Sequence, residues 1–303
     1  MNKLTNLFVA VPTYDGETFL EKTLESLKLQ TYHGVEIHVF DNGPIGNQLE
    51  IVNRFEGVIY HKNEKNLGAC LNFRNSLQFF LSDTSAEYFM WAQSDDMWSN
   101  EYAASLMTSQ NFKVSLSEMM SIDSFGQKIR SYPSYRRFFS ENIYLNAFTY
   151  LFENEYLGKC NMFMSIYSRE FSQRIQNHCS FKYNNFDNEI GFLIALEKNK
   201  QLCEKVLYHK RYDRACDVEG KPDPMIESIG FHRGFGIIEQ LYLFKQYLKV
   251  SETRLLSLLI FGVFLIRCPA FIIRTFTKII SKHVIRNRVI SEKEEVKRET
   301  RRL

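Results

Sequence analysis

The chain has 303 residues, 45% of them hydrophobic and 15% aromatic, with 26 Phe and 16 Tyr against 6 Pro. That composition excludes a disordered chain and suits one large packed domain or two small ones. The net charge of +3 is uneven: residues 251–303 carry 12 Lys/Arg against 5 Glu, a net of +7, and the rest carries a net of −4, which argues against a nucleic-acid binder and for contact with an anionic surface.

The opening "MNKLTNLFVAVPTY" is too short an apolar run for a signal peptide and reads as the first strand of a cytosolic fold. Within it, residues 6–12 form a buried strand closed by Pro12. Residues 16–31 place Phe19, Leu20, Leu24 and Leu27 at helical spacing. Residues 35–41 alternate and end on Asp41, and 46–56 read as a helix. A strand over 57–62, a helix over 67–81 opened by the Asn66/Gly68 turn, and a strand over 87–92 follow. Such alternation predicts an α/β fold with a parallel sheet, whose ligands sit beyond the carboxyl ends of the strands. Those ends carry Thr13, Tyr14 and Asp15, then Asp41, Asn42 and Gly43, then Asp95 and Asp96. No GxGxxG and no Walker lysine motif is present.

Further on, residues 112–132 read as a hairpin with "DSFGQ" at its turn. A helix is expected over 141–154, with Ile143, Ala147, Tyr150 and Leu151 on one face, then a strand and a helix within 159–171. Residues 187–198 read as a helix and 201–208 as a strand. The stretch 255–273 is 19 residues of mostly apolar character, interrupted by Arg267 and Pro269. With Arg274, Lys278 and Lys282, Arg267 makes a helical stripe that suits a helix lying in an anionic membrane interface. A buried helix or an oligomer contact is the rival reading, and a spanning helix the third. Six cysteines, at 70, 160, 179, 203, 216 and 268, form no CxxC pair and read as reduced thiols.

The stretch "WAQSDDMW" sets Asp95 and Asp96 directly after an apolar run. Charges there are costly unless something holds them. Capping of a helix near Ser99 is one answer; a divalent cation opposite a diphosphate is another.

Four blocks, "VPTYDGETFLEKTLESLKLQTY", "EIHVFDNG", "NEKNLGACLNFRNSL" and "WAQSDDMWSNEY", resemble in order and spacing the nucleotide-sugar domain of family 2 glycosyltransferases. The resemblance is strong over 5–110, weaker over 111–215, and does not reach the tail. It implies an α/β fold of the GT-A type, a Rossmann-like, mostly parallel sheet flanked by helices, with a C-terminal helical, membrane-associating extension. Residues 1–110 would bind the nucleotide sugar, 111–220 would bind the acceptor and supply the base, and 221–303 would form the basic, helical, membrane-associating region.

It also implies an inverting, metal-dependent hexosyl transfer. Pro12, Thr13, Tyr14, Glu17, Asp41 and Asn42 would hold the nucleoside, Tyr14 as a flat face and Asp41 as an acceptor for a base N–H. Asp95 would touch the ribose or donor sugar, and Asp96 would carry Mn²⁺ or Mg²⁺. Gln93 and Ser94 depart from the acidic residue that many relatives have. Arg74, His209, Lys210 and Arg211 are candidates for the diphosphate, and His209 also for the metal. Asp187 is the expected base, with Glu189 its rival and a helix cap the plain alternative. The expected donor is a UDP-sugar. The expected partners are a glycan or lipid-linked acceptor, an anionic membrane surface met through 255–288 on the cytoplasmic side, and a second copy through the C-terminal helices. The other classes left open are a catalytically inactive nucleotide-sugar-binding or membrane-partner protein on the same scaffold, and a nucleotidyltransferase on a similar sheet, against which "VPTYDGE" speaks with its single Gly and no Lys after it until Lys22.

Overall fold

The computed structural model describes residues 6–14, 18–43, 47–109, 111–153, 157–181, 186–211, 237–251 and 253–265. Nine strands form one sheet: β1 (Leu7–Thr13), β2 (Val35–Asp41), β3 (Ile59–Lys62), β4 (Tyr88–Trp91), β5 (Met97–Trp98), β6 (Val114–Ile122), β7 (Lys128–Ser131), β8 (Ile166–Ser168) and β9 (Lys200–Arg211). Their order is β3-β2-β1-β4-β8-β6-β9-β5, with β7 paired to β6.

The first half follows the sequence expectation. β3, β2, β1 and β4 run parallel, because helical crossovers separate them in the chain. These are α1 (Leu20–Lys28), α2 (Gln48–Val52) and α3 (Ala69–Asp83). α1 buries Leu20, Leu24 and Leu27, the expected face. α3 begins at Gly68, whose φ of 79° lies where only glycine is at ease. All seven residues of β1 are buried, as a central parallel strand covered on both faces requires.

The second half corrects the expectation of a mostly parallel sheet. β8 is antiparallel to both β4 and β6, β5 is antiparallel to β9, and β7 is antiparallel to β6. Only β6 and β9 pair in parallel there. The sheet is therefore mixed, and the cause is local. The 123–127 turn, where Asp123 N–H donates to the Gln127 carbonyl, is too short to connect parallel strands. The strand and helix expected within 159–171 are present as β8 from Ile166 and a helix from Arg169, after a 3₁₀ turn over Lys159–Phe163.

Helices α4 (Tyr102–Leu106), α5 (Ile143–Phe152), α6 (Arg169–His178), α7 (Phe186–Leu196) and α8 (Ile237–Lys249) complete the body. Arg169 fastens α3 to the sheet: its guanidinium donates to the carbonyls of Phe80, Leu81, Thr84 and Ala86 and lies over the Phe80 ring. α7 and α5 approach so closely that a Cβ at Gly191 would lie 2.3 Å from the Tyr150 hydroxyl. α8 packs Tyr247 on Phe192 of α7, with ring centroids 4.5 Å apart.

Residues 254–265 form a further helix, α9. It buries Leu256, Ile260 and Val263 and exposes Leu255, Leu258, Phe261 and Leu265. Of the expected 255–273 stretch and its basic stripe, Arg267, Pro269, Arg274, Lys278 and Lys282 lie outside the described residues. Among the described residues, no helix is long and apolar enough to cross a membrane.

One pair inside the fold ties stability to pH. His38 Nδ1 and His61 Nε2 are 2.9 Å apart, and the rings stack at 8°, with Phe8 against His38, Phe40 against His61 and Phe79 against both. Burial, helped by His61, pushes His38 down to about 4, and burial lowers His61 too. The unfolded chain therefore binds more protons between about pH 4 and 6.5, so stability falls as pH drops through that window. The expected loss for His38 is roughly 2 kcal/mol once solvent screening is allowed for. Urea midpoints measured from pH 7 to pH 4 should decline accordingly, and a histidine NMR titration showing an ordinary His38 midpoint near 6.5 rejects the account.

Candidate functional site

β2 and β3 lie on one side of β1, and β4 lies on the other. The sheet thus reverses its winding between β1 and β4, the place where open α/β sheets leave a crevice at the carboxyl ends. β4 pairs with β1 only as far as Ala10↔Trp91, and the Ala92 N–H to Ala10 carbonyl bond closes that ladder. Pro12, two residues further, has no N–H and faces the side that β4 has already left. A central strand tolerates proline here because no partner is lost.

Thr13 is buried, and among the described residues its hydroxyl has no hydrogen-bond partner. A buried hydroxyl left without a partner at the head of this crevice is costly. Tyr14 is 51% exposed, and its carbonyl accepts from Gln48 Nε2 at 3.1 Å. Glu17 lies outside the described residues.

Asp41 ends β2 fully buried. Its Oδ1 accepts the Gly43 N–H at 2.8 Å, the turn geometry that the Asx-Gly pattern predicts. Its Oδ2 accepts the Tyr60 hydroxyl and lies 3.6 Å from Lys62 Nζ. Burial, the bond to Asp41 and its charge push the Tyr60 phenol well above its ordinary range. Asn42 turns inward and braces the floor. Its Oδ1 accepts the Leu67 N–H at 2.7 Å and Asn63 Nδ2 at 3.1 Å, and its Nδ2 donates to Asn66 Oδ1 at 2.8 Å. Asn63 Nδ2 reaches Asn72 Oδ1, and Asn72 Nδ2 reaches the Phe40 carbonyl. The expected ligand role of Asn42 thus falls on a side chain engaged in the loop.

The Asp95–Asp96 turn follows β4. Asp96 is 0% exposed. Its Oδ1 accepts the Arg211 N–H at 2.8 Å and its Oδ2 the Tyr208 hydroxyl at 2.5 Å. Lys210 Nζ stands 3.6 Å from Oδ2 and 2.6 Å from Gln93 Oε1. Burial pushes the Asp96 carboxyl up to about 6, against the pull of Lys210. Neither aspartate caps the next helix, since Glu101 stands at the N-cap position of α4.

Tyr208 and Lys210 share one face of β9, and His209 and Arg211 share the other, as strand alternation dictates. Burial lowers His209, and its register partner is Met97. Arg211, expected at a diphosphate, is instead 3% exposed. Its guanidinium donates to the carbonyls of Asp95 (2.9 Å) and Asp123 and lies over the Phe19 ring. It clamps the turn to the β6–β7 hairpin.

These contacts bear on the expected Mn²⁺ or Mg²⁺. Hard cations need open carboxylate oxygens, and both oxygens of Asp96 already accept protein donors. A divalent cation on Oδ2 would also lie within about 5 Å of the Lys210 ammonium, a repulsion on the order of 7 kcal/mol at an effective dielectric constant of 20. Among the described residues, no three His, Cys, Asp or Glu side chains converge as a metal site. Asp96 as held here does not fit a metal ligand.

Asp187 and Glu189 separate cleanly. Glu189 is buried, and its two oxygens accept the Ser180 N–H and hydroxyl at 2.8 and 3.0 Å. Burial raises its carboxyl. Asp187 is half-buried in the first turn of α7, and its Oδ1 accepts the Asn188 N–H at 2.8 Å. Its charge is felt at Cys70, in the first turn of α3, whose thiol burial pushes up to about 11. Arg74 stands exposed one helical turn further along α3. Tyr208, Tyr60, Gln48 and the Asn63–Asn72 pair were not singled out by sequence reasoning. For Tyr208, its period-two relation to Lys210 was the available signal.

Residues 8–175 match the family described as Glycosyl transferase family 2. An uncharacterized glycosyltransferase of Rickettsia felis is 28% identical over 94 residues, which cover 30% of this chain and 15% of that one. Another, of Rickettsia typhi, is 26% identical over 90 residues, covering 30% and 27%. The chain thus matches well under a third of the length of either relative. Among solved structures, S. aureus TarS 1–349 in complex with UDP-GlcNAc is similar, with a TM-score of 0.58 and 18% identity over 82% of this chain and 68% of that one. The same protein in complex with UDP gives a TM-score of 0.54 and 16% identity, covering 80% and 79%. At these identities the likeness establishes a shared GT-A-like fold.

Proposed function

The chain belongs to glycosyl transferase family 2, and on that premise we propose that it moves a hexosyl group from a UDP-sugar to a hydroxyl of a glycan or lipid-linked acceptor, with inversion. The observation that carries the donor site is the orphaned Thr13 hydroxyl at the β1/β4 crevice, beside the Asp41 carboxylate and the exposed Tyr14 ring. A nucleoside supplies a hydrogen-bond partner for the Thr13 hydroxyl and a flat face for the phenol ring, while Asp41, whose oxygens already accept the Gly43 N–H and the Tyr60 hydroxyl, would take a base N–H as a further donor. UDP as the carrier is supported by the fold shared with TarS, which was solved with UDP-GlcNAc.

In the proposed reaction the Asp187 carboxylate takes the acceptor's hydroxyl proton. The freed oxygen attacks the anomeric carbon from the face opposite the nucleotide. The bond from that carbon to the diphosphate oxygen breaks, and the nucleoside diphosphate leaves with the electron pair. Glu189 is set aside as the base because Ser180 engages both its oxygens. Asp95, on the turn clamped by Arg211, is proposed to orient the ribose or donor sugar, and Arg74 and His209 to border the diphosphate.

The acceptor side is assigned to 111–220. Residues 221–303 are proposed to rest on the cytoplasmic face of an anionic membrane. Support comes from the net +7 of 251–303 and the exposed Leu255, Leu258, Phe261 and Leu265 of α9. Contact between copies through these helices is the competing use of the same face.

A thermal-shift panel of UDP-, GDP-, dTDP- and CDP-sugars tests the donor. Ligands that bind only the folded state raise the melting temperature, and UDP-sugars alone should do so. A shift with any of the other three and none with UDP rejects the uridine assignment. Binding of UDP-sugar with no turnover toward any hydroxyl acceptor would favour the inactive-binder reading, for which Gln93 in the acidic motif speaks.

A further inference from the structure

We infer that the ammonium of Lys210, held by Gln93 and Asp96, is the fixed positive charge that receives the donor's diphosphate, in the place a divalent cation on Asp96 would take. The inference rests on the nucleotide-sugar reading above.

Three observations converge on it. First, the Asp96 carboxylate is saturated by the Arg211 amide and the Tyr208 hydroxyl, so it holds strand β9 rather than presenting an open oxygen. Second, Lys210 Nζ lies 3.6 Å from that carboxylate and 2.6 Å from Gln93 Oε1. Gln93 supplies an acceptor without charge, so the ammonium is positioned by an amide beside the Asp96 carboxylate. An acid at position 93 would add a second negative charge there and favour a divalent ion. Third, the two cations of this strand end differ in access. Arg211 is 3% exposed and committed to the carbonyls of Asp95 and Asp123. The Lys210 side chain keeps 17% exposure at the carboxyl-end side of the crevice.

A diphosphate leaving group gathers negative charge as the glycosidic bond breaks, and a preorganised cation stabilises it whether that cation is a metal or an ammonium. Lysine serves phosphate as a compact point charge. Gln93 and Lys210 therefore act as a pair, and Asp96 acts through them as a positioning residue.

The test is UDP binding to the full chain by calorimetry, in EDTA and in Mn²⁺, with Mn²⁺ EPR on the same samples. Wild type should bind UDP in EDTA within about threefold of its affinity in Mn²⁺, and EPR should show no protein-bound Mn²⁺ before UDP is added. Lys210→Ala should weaken UDP in EDTA by about tenfold or more, and Lys210→Arg should restore most of the loss. UDP binding that requires Mn²⁺ in wild type, or a folded Lys210→Ala protein that binds UDP normally in EDTA, overturns the inference and leaves the transferase reading standing. If Lys210→Ala does not fold, the wild-type comparison decides alone. A folded protein that binds UDP under neither condition fails the donor assignment itself, and this inference with it.

Discussion

Asp187→Asn is expected to lower turnover by about 10³-fold while UDP affinity and the melting temperature hold. A positioned general base is worth about 10²–10⁴ in rate, and the side chain at 187 has the access that the work needs. It is half-buried at the opening of α7, where its Oδ1 takes the Asn188 N–H. Asparagine keeps a carbonyl oxygen for that bond, so the helix start survives and only the proton acceptor is lost. Glu189→Gln is the contrasting variant. Glu189 is locked by Ser180, so its loss should appear in stability first. The measurement is steady-state transfer with a UDP-sugar beside a thermal melt of each variant. A folded Asp187→Asn protein with wild-type turnover removes the residue from the mechanism.

Asp96→Ala should cost about 3–5 kcal/mol of stability, the scale for removing one partner of a buried charge pair. At 2–4 °C per kcal/mol for a body of this size, the melting temperature should fall by about 10 °C. The reason is what stays behind. The Arg211 amide and the Tyr208 hydroxyl lose their acceptor, and the Lys210 ammonium loses its ion pair with Asp96 while keeping Gln93. The Thr23 hydroxyl, which donates to the Asp96 carbonyl at 2.8 Å, ties α1 to the same turn. Asp96→Asn, which keeps one oxygen, should lose about half as much. Differential scanning calorimetry of the two variants decides; an unchanged melting temperature in Asp96→Ala would show that the latch carries no stability.

The first hundred residues were legible because their signals are local. Leu20, Leu24 and Leu27 mark the buried face of a helix by spacing alone, and "VEIHVFD" marks a strand that stops at Asp41. The antiparallel half was not legible for an equally physical reason. β5 has two residues and β8 three, too few to show a period. Their placement depends on pairing partners far along the chain. Asp96 illustrates the same limit at the site. Its sequence context, an apolar run and a second aspartate, suits a metal ligand. Its actual neighbours come from β9, and Tyr208 lies 112 positions away. Arg211 likewise reads as an exposed basic residue after a strand, and becomes a buried clamp only once β9 is laid against the 93–96 turn. The engagement of Glu189 by Ser180 also needed tertiary contacts, since Ser180 belongs to the segment before the helix.

The floor of the crevice has one further property. It is held by Asn42, Asn63, Asn66 and Asn72, which bond to one another and to the backbone through neutral amides. Amides do not titrate, and added salt does little to uncharged hydrogen bonds. This amide network should therefore keep its hydrogen bonds from low to high ionic strength. Salt acts instead on the charged groups around it, the Asp41–Lys62 pair and the proposed contact of the donor's diphosphate with Lys210, so Lys62→Met and Lys210→Ala variants would divide a salt dependence of donor affinity between the two.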